Sequence, residues 1–356
     1  MDARKGASQL TSPDGIDFER YRTQAKDLLK QARLGDPHAL ELLRVHHPEG
    51  ERLFSQPTIQ LADAQLVIAR EKGYRSWGKL KEDLLFLQAV QSLDSGDRDR
   101  LETLIDKYPS LVRYHCRHGE YETGYFAGAT LLHHIAGNPI RCPLPNNIVE
   151  IARLLLERGA DPNALANPSS TIGLLITSRQ ASEAGVAVPL IDLLVAAGAK
   201  DNVLGDPDIL SQPIWNGGRA TAEALVERGA RMDARHAAAL GRLDVLQNLL
   251  GDDTDSCMLE EALVYASVQS EEAVIRLIGR GAKGDVNVSP GGQSSALHNA
   301  AWRGHTGTVK LLLENGARAN QLDNQWNGTP AGWAEHGGHP ELADLLRRHE
   351  DLRKEA

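Results

Sequence analysis

The residues best suited to do chemistry lie between positions 113 and 189. His133 and His134 are adjacent, and Glu122, Tyr125 and Arg141 fall near them in sequence. An imidazole changes charge near neutral pH, so a carboxylate, a phenol and a guanidinium around it would form a set able to transfer a proton or anchor a polar ligand. Neighbouring residues on a helix point about 100° apart, which makes the two histidines a poor chelate for one metal ion. His134 therefore has two readings. One is a buried neutral ring with a hydrogen-bond partner. The other is the polar anchor or proton-transfer group of a pocket formed with Glu122, Tyr125 and Arg141. No GxSxG, HExxH or Walker loop occurs, and the Gly-rich run 281–292 lacks the Lys-Ser/Thr ending of a phosphate loop, so it reads as an enlarged hairpin. Cys116, Cys142 and Cys257 are odd in number and widely spaced, which fits neither a disulfide framework nor a zinc motif. No catalytic residue, metal or cofactor is expected.

Composition narrows the function classes further. The 356 residues carry a net charge of −9, with 41% hydrophobic and 24% charged side chains. Phosphate contact needs a concentrated Lys/Arg face, and none is present, so nucleic acid is not expected as a partner. No apolar run approaches the roughly 20 residues that span a bilayer, and the polar N-terminus has neither signal-peptide nor transit-peptide character. The expectation is a cytoplasmic protein that does not engage membranes.

The elements that must position these side chains are set by a recurring pattern, best seen over residues 294–340: Ala296-Leu297-His298, Ala300-Ala301, Gly304-His305, Leu311-Leu312-Leu313, Gly316-Ala317, Asn320, Asp323 and Gly328-Thr329-Pro330. A small-residue helix, a Gly-His turn, a Leu-rich helix and a closing glycine follow in order. This stretch closely resembles the ankyrin repeat, whose helix pairs bury their apolar faces only by stacking on neighbours. The Gly-Ala dipeptide recurs at 159–160, 198–199, 229–230, 281–282 and 316–317, and 237–250 and 86–112 have the same two-helix rhythm. The resemblance implies an all-α ankyrin-repeat solenoid of about 7–8 helix-turn-helix units with short hairpin fingers over residues 84–352. A disordered leader (1–17) and a small helical module (18–83) are expected ahead of it, with Trp77 packing against the first repeat. Residues 61–80, the GYFAGATLLHHIAGNP stretch and the terminal GTPAGWAEHGGH resemble bacterial ankyrin proteins.

The pattern is interrupted twice between first and second helices, by residues 139–147 and 179–189, which stacking would set side by side. In the ankyrin family the two residues before the Gly-His turn face the concave groove. Carried to this sequence, those positions are Trp302 and Arg303, Trp215 and Asn216, His336 and Gly337, and Gly137 and Asn138. Aromatic side chains there offer rigid contact area, so Trp302, Arg303, Trp215, Asn216, Trp326, His336 and Asn138 are the candidate contacts for a protein or peptide partner. Trp326, in a finger one residue longer than usual, is read equally as a fingertip contact or as packing under the groove. Trp333 is read as core. His133, His298, His305 and His339 are read as scaffold. The expected protein is a monomeric binder; the alternative is a small-molecule binder or enzyme with the pocket at Tyr125, His134, Glu122 and Arg141.

Overall fold

The computed structural model describes residues 17–55, 58–116, 121, 126–137, 143–166, 169–200, 208–250, 256–269, 273, 277, 286–287, 289 and 294–352. The fold is an all-α repeat fold, and one short antiparallel pair, β1 (Leu165–Ala166) with β2 (Ser169–Ser170), is the strand structure among the described residues. The chain divides into two compact units, residues 1–200 and 201–356.

The first unit begins with α1 (Phe18–Arg33), α2 (Pro37–His46), α3 (Leu61–Glu71) and α4 (Trp77–Asp94). Short polar side chains start three of these helices: Asp17, Asp36 and Ser76 accept from the backbone N–H of Glu19, Ala39 and Lys79. Their apolar faces close over Tyr21, Leu28, Leu43, Leu53, Val67 and Leu80. Trp77 packs back onto Phe18, ring centroids 5.3 Å apart, and joins this N-terminal cluster instead of the first repeat. As the first residue of α4 its side chain leans toward the helix N-terminus, which faces α1. Helix α4 runs unbroken past residue 84 and packs on α5 (Arg98–Lys107), so the module and the first helix pair share one helix. Of the expected leader (1–17), residues 1–16 lie outside the described residues, and Asp17 is the cap of α1.

A 3-10 helix (Leu131–Ala136) follows, then α6 (Ile148–Glu157), α7 (Thr171–Thr177), α8 (Arg179–Glu183) and α9 (Ala187–Ala196). The second interruption is thus an added helical turn, α8, capped by the Ser178 hydroxyl. The same hydroxyl donates to the carbonyl of Ala136, and Gln180 covers Gly137, where a Cβ would lie 2.5 Å from its Oε1. Of the first interruption, residues 139–142 lie outside the described residues, while its end is tied down by Asn147, whose amide donates to the Gly96 carbonyl at 2.9 Å.

The second unit contains α10 (Ser211–Trp215), α11 (Arg219–Glu227), α12 (Ala234–Ala239), α13 (Leu243–Leu249), α14 (Ser256–Gln269), α15 (Ala296–Trp302), α16 (Thr306–Glu314), α17 (Pro330–His336) and α18 (Pro340–Leu352). Buried alanines on α12, α14, α15 and α17 (Ala237, Ala238, Ala262, Ala266, Ala300, Ala301, Ala334) leave room for close helix packing. Leu246, Leu312 and Leu346 on α13, α16 and α18 belong to the same buried cluster.

The Gly-Ala dipeptide has a local cause that is the same in both units. After α6 the N–H of Ala160 bonds the carbonyl of Leu155 at 2.9 Å and that of Gly159 the carbonyl of Leu156 at 3.0 Å; after α16, Ala317 bonds Leu312 at 2.9 Å and Gly316 bonds Leu313 at 3.1 Å. This double bond pattern closes a helix on a left-handed residue, and Gly159 and Gly316 have φ of +89° and +95°. The pairs 198–199 and 229–230 repeat it, and 281–282 lies outside the described residues.

Candidate functional site

The site is built from the C-terminal end of α15, the finger after α16, and α17. Trp302 is the last residue of α15, and Pro330, pre-set for a helix start, opens α17 behind the Thr329 cap. Between α16 and α17 the finger turns over Asp323–Gly328, closed by a backbone bond from Asp323 N–H to the Gly328 carbonyl at 3.0 Å. Asn327 takes a left-handed conformation, φ 57°, which asparagine tolerates better than most side chains.

Asp323 organises this corner. Its side chain is 1% exposed, and it accepts four hydrogen bonds. Oδ1 takes the N–H of Gln325 (2.8 Å) and Trp326 (2.7 Å); Oδ2 takes the N–H of Gly328 (2.7 Å) and the indole Nε1–H of Trp333 (3.0 Å). Burial alone would raise its pKa, but the donors from Trp326, Trp333, Gly328 and Gln325 outweigh it and hold the carboxyl down to about 2. The charged carboxylate therefore fixes both the finger and the orientation of one indole.

Three tryptophans meet here. Trp333 stands at the centre, with Trp302 at 5.8 Å and 72° and Trp326 at 5.4 Å and 54° between rings, while His336 lies 5.2 Å from Trp302. Trp302, Trp326, Trp333, His336, Gly328 and Gly332 line a recess of about 440 Å³. Gly328 leaves room for the indole, since a Cβ there would sit 3.1 Å from Trp333 Nε1. Gly337 lets α17 close on α15, since a Cβ there would come within 2.4 Å of the Trp302 carbonyl oxygen.

Trp302, Trp326 and His336 are thus brought together. Trp326 is 65% exposed, on the rim of the recess and not beneath it. Trp333, expected in the core, is half-buried and forms the back wall, because its N–H is drawn toward Asp323 and glycines flank its ring. Arg303 does not join them; its guanidinium donates to the carbonyl of Trp215. Trp215, half-buried, packs edge-on against Tyr265 at 4.9 Å, and Asn216 is half-exposed beside it, both apart from the recess. Asn138 lies outside the described residues.

Of the upstream set, Glu122, Tyr125 and Arg141 also lie outside the described residues. His134 is 2% exposed, stacked on Phe126 at 4.5 Å and flanked by Phe86 and Tyr121. Burial, then the neighbouring His133, pushes its pKa down to about 3. A base that weak holds no proton near neutrality, which favours packing over proton transfer.

The other motif histidines serve the scaffold. His298 Nδ1 accepts from Ser295 at the start of α15, and Nε2–H donates to the carbonyls of Gln321 (3.1 Å) and Gly328 (3.2 Å) in the next repeat's finger. His133 does the same between Thr130 and the Ala164 carbonyl, and burial lowers its pKa to about 4 despite those bonds.

One constellation escaped the sequence reading. Ser211 Oγ lies 3.0 Å from His236 Nε2, and His236 Nδ1 lies 3.0 Å from Asp233 Oδ1, the connectivity of a nucleophile, base and carboxylate. Its residues are 22 and 3 positions apart, in no motif that sequence would reveal. The Nδ1 contact is close but not aligned as a hydrogen bond, His236 is fully buried, and the Ser211 hydroxyl is shared with Tyr265 at 3.0 Å. Asp233 caps α12 and His236 stands three residues on, the pairing of Ser295 with His298. It is the repeat's own capping device. Among the described residues no group of three or more His, Cys, Asp or Glu could hold a metal, and no helix is long and apolar enough to cross a membrane.

Comparison with known proteins agrees with this architecture. The ankyrin repeat family matches residues 127–167, and the family of ankyrin repeats in three copies matches residues 234–323. No curated protein matches the chain. Ankyrin repeats are thus present in each of the two units, within an all-α repeat fold.

Proposed function

We propose that this chain is an interaction protein that binds a protein or peptide partner, acting as a cytoplasmic monomer, with the tryptophan-lined recess as the centre of the contact surface. Ankyrin repeats typically mediate protein–protein interaction, and the observation that supports a contact here is the cluster of Trp302, Trp326 and Trp333 around a recess of about 440 Å³. Large indoles held at fixed angles give contact area with little entropy left to lose on binding. Arg303, Trp215, Asn216 and Asn138 enter this reading as outlying contacts, and residues 18–83 as a helical module ahead of the repeats that shares α4 with the first helix pair.

The test is affinity purification from the native host with the wild type, Trp302→Ala and Trp326→Ala. Trp302→Ala is expected to weaken partner binding by about 2 kcal/mol or more, with cooperative melting retained. A partner that binds both variants with wild-type affinity removes this surface from the interaction.

A further inference from the structure

We propose that the Trp302–Trp326–Trp333 recess is a cation cage for the methylated ammonium group of a lysine side chain carried by the partner. The inference deepens the reading of this chain as a peptide binder and rests on it.

Three observations point to a methylated cation. First, the rings meet at 72° and 54°, so they form the walls of a box and not a parallel slot. A flat aromatic ligand or a proline needs parallel faces, whereas a globular trimethylammonium contacts several inclined π faces at once. Second, the central indole donates its N–H to the buried Asp323 carboxylate at 3.0 Å, which places a full negative charge behind the ring and enriches its π face. In a site of low polarity that charge acts over the width of the recess. Third, the nearby cationic side chains are held elsewhere. Arg303 is bonded to the Trp215 carbonyl, Arg347 pairs with Glu335 and Asp344, and among the described residues no lysine or arginine lines the recess. The His336 ring, 5.2 Å from Trp302, adds a further π face, and the protein's net charge of −9 favours cationic partners.

The openness of the site selects the source. Trp326, Gly332 and His336 are all exposed on the rim, so a bound group keeps contact with solvent. That suits a side chain presented by a larger partner, with its methylene stem crossing the rim, better than a free metabolite, which gains affinity from enclosure.

The test uses defined probes on the full chain at pH 8, read by tryptophan fluorescence and calorimetry. Choline is compared with 3,3-dimethyl-1-butanol, its neutral counterpart of equal shape. A short Gly-flanked peptide containing trimethyl-lysine is compared with the same peptide containing lysine. Choline is expected to bind at least tenfold more tightly than the alcohol, and the trimethyl-lysine peptide at least tenfold more tightly than the unmodified one. Trp326→Ala should abolish both preferences, and Trp326→Phe should retain part of them. Gly332→Leu offers an independent block, because its Cβ has no neighbour nearer than Thr329 Oγ1 at 3.8 Å while the longer chain fills the recess. It should lose binding with an unchanged or higher Tm.

Equal affinity for choline and the alcohol would show an apolar pocket and overturn the proposal. Preference for choline without preference for the methylated peptide would overturn the assignment to lysine in favour of a free quaternary ammonium compound. A host partner that binds through Trp302 regardless of methylation would leave the interaction reading standing and refute this one.

Discussion

Replacing Asp323 with asparagine is the sharpest test of how the C-terminal corner is held. The carboxylate takes two donors on each oxygen, at 2.7 to 3.0 Å. An asparagine has one acceptor oxygen, so its NH₂ group must face either the two finger amides or the Gly328 amide and the Trp333 indole. Two charge-assisted bonds are lost, each worth about 1.5–3 kcal/mol, and the other two become neutral, so Asp323→Asn should cost about 3–5 kcal/mol at pH 7. The pH dependence is an independent check. The carboxyl titrates at about 2 in the folded chain against 3.8 unfolded. Its charge therefore contributes stability that is complete above pH 4 and is lost as pH falls through 2, about 2 kcal/mol by linkage. Urea unfolding of both proteins, followed by tryptophan fluorescence at pH 5 and pH 2, measures both quantities. Other acid effects are common to the two chains and cancel in the difference. A variant within 1 kcal/mol of wild type at pH 7, or a gap that stays the same from pH 5 to pH 2, would refute the role given to Asp323.

Three further substitutions follow from the same structure. His134→Phe keeps a ring against Phe126 but removes a group whose pKa is about 3 folded and 6.5 unfolded; the unfolded wild type takes up a proton below 6.5 that the folded chain refuses, so wild type should lose about 2 kcal/mol more than the variant between pH 7 and pH 5, measured by urea titration. Gly332→Ala, with open space around its Cβ in α17, should stabilise by about 0.5–1 kcal/mol in a thermal melt. Gly337→Ala, at an ordinary φ but 2.4 Å from the Trp302 carbonyl oxygen, should destabilise by about 2 kcal/mol or more in the same assay.

The scaffold was legible because its signals are local. Gly316 and Ala317 mark a helix end through bonds to Leu312 and Leu313, all within one turn, and sequence spacing carries that information directly. His298 was legible as scaffold through its place in the family motif, and it bonds Ser295 at the helix start and the Gln321 and Gly328 carbonyls of the next finger. The recess was legible only in part. The position before Gly304 singles out Trp302 as a candidate contact, but the exposure of Trp333 depends on a carboxylate ten residues earlier and on the absence of side chains at Gly328 and Gly332. Nothing in the pattern distinguishes an indole pulled to the surface from one packed inside. Trp77 shows the same limit, since its direction was fixed by where α1 lies and not by its own neighbours in sequence.

The bond from Arg303 to the carbonyl of Trp215 joins residues 88 positions apart. Gln269, which donates to the Ile214 carbonyl at 3.2 Å, reinforces the same junction from α14. A repeat array normally comes apart like a stack of coins, each unit answering only to those beside it. These two long side chains instead lace α10, α14 and α15 together along one edge, so α15 cannot swing away from the stack without releasing α10. Opening of the C-terminal repeats should then spread back to residue 215 as one event, and α15, which carries Trp302, is held as firmly as the whole length of chain that lacing spans.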